Sequence, residues 1–204
     1  MNIDSIMRLS PVIPVLVIDD LSLARPIAEA LVEGGLAVIE VTLRTPVALD
    51  AIREMSKVEG AVVGAGTILN SAQLDEAIAA GSRFIVSPGL TEQLGRAAIA
   101  SGVPFLPGVS TAGDLMRGFD LGLDRFKFFP AETSGGTAAL KALAGPFGAA
   151  RFCPTGGITP TSAPNWLALG PVLCVGGTWL VAKPFDREAV VEAARAAAAM
   201  RSYA

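Results

Sequence analysis

Short, nearly continuous apolar runs rich in β-branched residues recur along the chain, separated by stretches whose apolar residues fall three and four positions apart. The runs are VIPVLVI (12–18), AVIEVTL (37–43), AVVGAGTI (61–68), RFIVSP (83–88), PFLPGV (104–109), RFKFFP (125–130), RFCPTGGI (151–158) and VLCVGGTWL (172–180). Runs of this kind predict strands buried on both faces. The stretches between them, such as LARPIAEALVEGG, PVALDAIREMSKVEG and AQLDEAIAAGS, are rich in alanine and mostly close on glycine, a signal for helix C-termini. Alternating strand and helix predicts a mainly parallel sheet. Eight such units in 204 residues predict an α/β fold of the (β/α)8 TIM-barrel type. An open doubly wound sheet is the alternative. With no linker rich in Pro, Gly or Ser, residues 1–204 are expected to form a single domain, with 1–10 a helix capping the barrel bottom.

Composition narrows what such a barrel can do. A mean hydropathy of +0.53 fits strands covered on both faces. No apolar run reaches the ~18 residues of a membrane span, and MNIDSIMRLS lacks a basic region followed by an apolar one, so a cytoplasmic protein is expected. Net charge is −3 and no basic cluster or aromatic-basic stripe occurs, which argues against nucleic-acid or membrane partners and for small-molecule chemistry. There is no histidine, which removes Ser-His-Asp and Cys-His catalysis, zinc-histidine sites and the commonest general base. Acid–base work falls to carboxylates, lysine, cysteine or the single tyrosine, Tyr203. Cys153 and Cys174 lie in strand-like runs without metal-ligand spacing and read as buried inert thiols.

Chemistry in these barrels sits at the C-terminal strand ends, and the polar and glycine-rich positions collect there. Lys127, in DRFKFFPAE, interrupts an apolar strand. Side chains alternate along a strand, so Lys127 shares a face with Arg125 and Phe129 while Phe126 and Phe128 point the other way. If those two phenylalanines pack under helices, Lys127 projects into the barrel. A purely structural lysine would snorkel to the rim or sit in an internal ion pair. A desolvated ammonium instead favours its neutral form, and a neutral amine can attack a ketone to form a Schiff base. Lys57 and Lys141 lie in helical stretches, and Lys183, in VAKPFD, is the weaker competitor.

Glu40 holds a similar position in AVIEVTLR and is the natural proton carrier for imine chemistry, or else a structural partner of Arg44 or Lys127. Arg44 could hold a substrate carboxylate bidentately, helped by the Thr67 hydroxyl. Gly156-Gly157 and Gly176-Gly177, after the last two strands, together with Thr178, suit an anion cradle where barrel enzymes often bind phosphate. GAGT at 64–67 lacks the further glycine of a dinucleotide fingerprint.

Taken in order and spacing, EVTLRT, GAGTIL, SPGLT, FKFFPAE, PTGGI and VGGTWL resemble the class I aldolases for 2-keto-3-deoxy-6-phosphogluconate (KDPG), the Entner–Doudoroff aldolases, over nearly the whole chain. The resemblance implies a (β/α)8 homotrimer that needs no metal or other cofactor. It implies cleavage of KDPG to pyruvate and glyceraldehyde 3-phosphate, with 4-hydroxy-2-oxoglutarate as a further substrate. It also implies Lys127 as the Schiff-base residue, Glu40 as proton acceptor, Arg44 and Thr67 on the pyruvyl carboxylate, and Pro88 and Phe129 beside the substrate. Thr155, Gly156, Gly157, Gly177 and Thr178 then surround the distal phosphate. Rival readings are an aldolase for the galactonate epimer or for a non-phosphorylated 2-keto-3-deoxy acid, a carboxylate-bound Mg²⁺ aldolase, and a non-catalytic phosphosugar-binding barrel. Many relatives end strand one with a basic residue, whereas Val17, Asp19 and Asp20 stand here. Those carboxylates would weaken anion binding unless they initiate the next helix.

Overall fold

The computed structural model describes residues 1–200; Tyr203 lies outside the described residues. Helix starts carry their own signals. Asn70, Thr91, Thr111 and Asp186 each accept a backbone N–H with the side chain, starting helices at Ser71–Ala79 (α4), Glu92–Ser101 (α5), Ala112–Asp120 (α6) and Arg187–Ala198 (α9). Helix α5 ends on Gly102 at φ 72°, a left-handed cap that a side chain would disfavour. The other helices are α1 (Ile3–Met7), α2 (Ala24–Glu33), α3 (Ala48–Met55), α7 (Gly136–Ala144) and α8 (Ala163–Leu167). No described helix is long and apolar enough to cross a membrane.

The apolar runs form parallel strands: β1 (Val12–Leu16), β2 (Val38–Thr42), β3 (Val62–Gly66), β4 (Ile85–Val86), β5 (Phe105–Leu106), β6 (Gly108–Val109), β7 (Arg125–Phe128), β8 (Arg151–Pro154) and β9 (Val175–Gly177). They give an α/β fold with a curled parallel sheet ordered β5-β4-β3-β2-β1-β9 and a second sheet ordered β6-β7-β8. Where one fifth strand is expected over 104–109, two short ones appear, separated by Pro107. Proline has no N–H to donate, so the chain changes partners there. Leu106 pairs with Val86 on one side of the break, and Gly108 pairs with Lys127 on the other. Bridges Phe152 to Val172 and Thr155 to Gly176 link the second sheet to the segment that carries β9.

Strand alternation divides the core in two. Ile39, Val41, Phe126, Phe128 and Phe152 pack with the helices in the larger cluster. Ile13, Val38, Phe84, Val86, Leu106, Cys153, Leu173 and Cys174 form a smaller one with Ile6 and Met7 of α1. Helix α1 is tied down by Asp4, whose Oδ1 accepts from Arg125 Nε at 2.6 Å and whose Oδ2 accepts from Arg8 Nε at 2.9 Å. Burial disfavours the Asp4 carboxylate, but the hydrogen bonds from Arg125 and Arg8 outweigh it and hold the carboxyl below its usual range.

Candidate active site

Lys127 sits on β7 between two outward phenylalanines, in register with Gly108 on β6 and Cys153 on β8. Glu40 sits on β2 between Ile39 and Val41, which face the helices. The alternation that buries those neighbours outward turns both charged side chains inward, and they meet. Lys127 Nζ donates to Glu40 Oε1 at 3.0 Å and lies 3.4 Å from Oε2. Lys127 is 6% exposed and Glu40 3%, so water does not screen the pair. The Phe129 ring centroid is 5.4 Å from Nζ, placing an apolar aromatic face beside the amine.

Gly66 explains how the carboxylate fits. A Cβ at this position would overlap the Glu40 carboxylate, so only glycine leaves it room. The next residue, Thr67, has φ 60°, an unusual conformation for a β-branched side chain. It is held from both sides, since Leu43 N donates to Gly66 O at 2.9 Å and Ile68 N to Val86 O at 3.2 Å. In this posture Thr67 Oγ1 accepts from Arg44 Nε at 3.3 Å. Arg44 is otherwise exposed at the end of β2.

The remaining expected positions fall at the same strand ends with differing surroundings. Pro88 is half-buried after β4, and its carbonyl packs where a Cβ on Gly108 would stand. Thr155 is buried opposite Gly176, where a side chain would collide with it. Gly156 and Gly157 have φ 106° and 79°, so this pair forms a loop that other residues adopt poorly. Gly177 instead lies buried against the Trp179 ring. The two glycine pairs therefore differ: one shapes a loop, the other allows close packing. Thr178 is exposed just beyond β9. Lys127, Glu40 and Phe129 form one contact group, and Arg44 and Thr67 form another on adjoining strand ends.

Some participants are absent from the motif-based expectation. Gly66 could have been found by asking what stands beside Glu40 on the neighbouring strand. Glu132, within FFPAE, accepts from Trp166 Nε1 at 2.9 Å, and its backbone N–H donates to Gly156 O at 3.1 Å, anchoring the glycine loop. The strand-one carboxylates are both occupied. Asp20 accepts from Ser22 Oγ and Ser22 N, which hold its carboxyl below the usual range and start the turn at Leu21–Leu23. Asp19 accepts from Lys183. Among the described residues, no group of three or more His, Cys, Asp or Glu could hold a metal ion.

The model of the family described as "KDPG and KHG aldolase" matches residues 3–195. A 2-dehydro-3-deoxy-phosphogluconate aldolase of Zymomonas mobilis is 64% identical over 180 residues, covering 88% of this chain and 86% of the relative. The crystal structure of a 2-keto-3-deoxy-6-phosphogluconate aldolase from Zymomonas mobilis ATCC 29191 superposes with a TM-score of 0.99 at 58% identity, covering 100% of this chain and 99% of that one. The KDPG aldolase of Legionella pneumophila, with pyruvate captured as a covalent carbinolamine, superposes with a TM-score of 0.94 at 41% identity, covering 97% and 98% of the two chains.

Proposed function

Because this chain belongs to the KDPG and KHG aldolase family, we propose that it is a Schiff-base aldolase cleaving KDPG to pyruvate and glyceraldehyde 3-phosphate, and 4-hydroxy-2-oxoglutarate to pyruvate and glyoxylate. The observation that carries the mechanism is the buried Lys127–Glu40 contact at 3.0 Å. A lysine ammonium this close to a carboxylate can pass it a proton, leaving the free amine that attacks a ketone.

Lys127 Nζ adds to C2 of the substrate, and the Glu40 acid protonates the developing alkoxide. Glu40 then takes a proton from the new C–N ammonium and returns it to the carbinolamine hydroxyl, which leaves as water. The result is a protonated imine and an ionised Glu40. Glu40 next accepts the proton of the C4 hydroxyl; the C3–C4 bond breaks, its electron pair moves into the imine, and the aldehyde departs. Protonation of the enamine at C3 by Glu40 restores an imine, which water hydrolyses to pyruvate and free Lys127. Phe129 keeps water from the nitrogen and faces its cationic form with a π-surface. Arg44, oriented by Thr67, grips the C1 carboxylate with the rest of its guanidinium fork. Pro88 lines the approach, and Thr155, Gly156, Gly157, Gly177 and Thr178 surround the distal phosphate. No metal or organic cofactor takes part in these steps.

The same reading extends to the scaffold. The bridges from Phe152 to Val172 and from Thr155 to Gly176 support one closed (β/α)8 barrel, with residues 1–204 a single domain and 1–10 its cap. It also includes a homotrimer and a cytoplasmic location, where a phosphorylated substrate that does not cross membranes is retained.

Borohydride reduction in the presence of pyruvate, followed by peptide mass spectrometry, tests the chemistry. The expected result is a pyruvyl adduct on Lys127, absent in Lys127→Ala. Glu40→Gln should still trap pyruvate but turn over about 10²–10⁴-fold more slowly, the contribution typical of a general acid–base. No adduct, or one on Lys183, overturns the assignment.

A further inference from the structure

We propose that Lys183, stored against Asp19, is the cation that receives the distal anion of the substrate, and that the exchange between the two carriers sets the preference for phosphorylated over non-phosphorylated substrates. Three observations lead here. Lys183 lies on the segment after β9 that also carries Thr178, and both line a cavity of about 440 Å³ between that segment and the end of β1. Its walls are mostly apolar, including Leu16, Ile18, Ile27 and Phe185, while Asp19 and Asp20 are its acidic lining. Val15 lines the same cavity and is in register with Glu40, so the cavity borders the catalytic strand.

The charge balance of this mouth needs such a residue. The loop at Gly156-Gly157 and the Thr178 hydroxyl offer dipoles but no charge, and β1 ends in two acids. Asp20 is committed to Ser22, with both the backbone N–H and the hydroxyl of that residue donating to it. Asp19 is committed to Lys183. Lys183 and Asp19 are 75% and 54% exposed, so the pair is screened and weakly held. A phosphate dianion offers the ammonium twice the charge of Asp19 and more acceptor oxygens, and apolar walls on one side reduce screening of the new contact. Lysine, a point charge on a flexible stem, can swing between the two without rebuilding the loop. Asp19 thereby keeps the cation at the mouth while the site is empty and competes with the substrate for it.

The inference rests on the aldolase reading, and the test separates the two. Steady-state kinetics would compare KDPG with 2-keto-3-deoxygluconate, the same skeleton without phosphate, in wild type, Lys183→Ala and Asp19→Asn. The readout is the ratio of kcat/KM for the phosphorylated to the non-phosphorylated substrate. That ratio should fall about tenfold in Lys183→Ala, the size of one charge-assisted hydrogen bond, mainly through KM for KDPG. It should rise in Asp19→Asn, where the lysine loses its competitor. Both side chains are exposed, so neither change should disturb the fold. A ratio unchanged within twofold in both variants overturns the role of Lys183 while leaving the pyruvate adduct on Lys127 intact. Failure of wild type to form that adduct instead removes the aldolase reading beneath it.

Discussion

A single missing methyl group decides where the reactive carboxylate can stand. Glu40 occupies the space that a Cβ on Gly66 would fill, and the oxygen nearest that space, Oε1, is the one that accepts from Lys127. Gly66→Ala should therefore push the carboxylate off the lysine without removing either group. A displacement of about 1 Å at a reacting group can cost on the order of 10²-fold, so turnover should fall by about that factor while far-UV circular dichroism stays at the wild-type signal. Undiminished turnover would show that Glu40 works from another position. At this scale much is legible beforehand. The interruption of an apolar run by Lys127, and of another by Glu40, marks both residues, and alternation gives their direction. The supporting glycine is not marked, because its meaning depends on the side chain across the strand pair.

Among the elements, α6 is held at its start by a reciprocal arrangement. Thr111 Oγ1 accepts from Asp114 N at 3.2 Å, while Asp114 Oδ2 accepts from Ser110 N and Thr111 N, each at 3.0 Å. Partial burial disfavours the Asp114 carboxylate, yet hydrogen bonds from Ser110 N and from Thr111, with Arg117 nearby, hold its carboxyl below the usual range. A lowered folded value means that the stabilisation is full above the unfolded value near ~3.9 and is lost as pH falls through the folded one. Asp114→Asn should cost about 1 kcal/mol at pH 7, reduced from the upper capping range by solvent screening. In urea unfolding, the gap between wild type and variant should close as pH drops below 4; a gap independent of pH would mean that the charge plays no part. Helix positions follow from periodicity and strand positions from the apolar runs, whereas the division of the fifth strand follows from neither. Pro107 is visible in PFLPGV, but that its two sides serve different sheets depends on which neighbours stand there.

For the whole molecule, separation of an outer core from an inner one is what isolates the chemistry. Phe126 and Phe128 face the helices, and beneath Lys127 the inner cluster contains Cys153 and Cys174, both free and buried. The neighbouring Cys153 thiol, together with burial, pushes the Cys174 thiol well above its ordinary range. Neither thiol should react with a disulfide reagent such as DTNB in the native protein, and both should react once urea unfolds it. Rapid modification before unfolding would contradict a packed interior. Their burial and lack of ligand spacing were readable beforehand; that Cys153 lies within β8 while Cys174 falls just before β9 was not.

The sequence by itself determined what local geometry governs. Continuous apolar runs and helical patterns set the order of strands and helices, glycine and capping residues set their ends, and the absence of histidine left lysine and carboxylate as the available chemistry. Tertiary structure alone decided the partners. Glu40 meets Lys127 across 87 positions of chain, and Asp19 meets Lys183 across 164. Alternation tells a side chain which face to take, but which charge waits on that face depends on strand register and on how the sheet curls, and both are properties of the assembled chain.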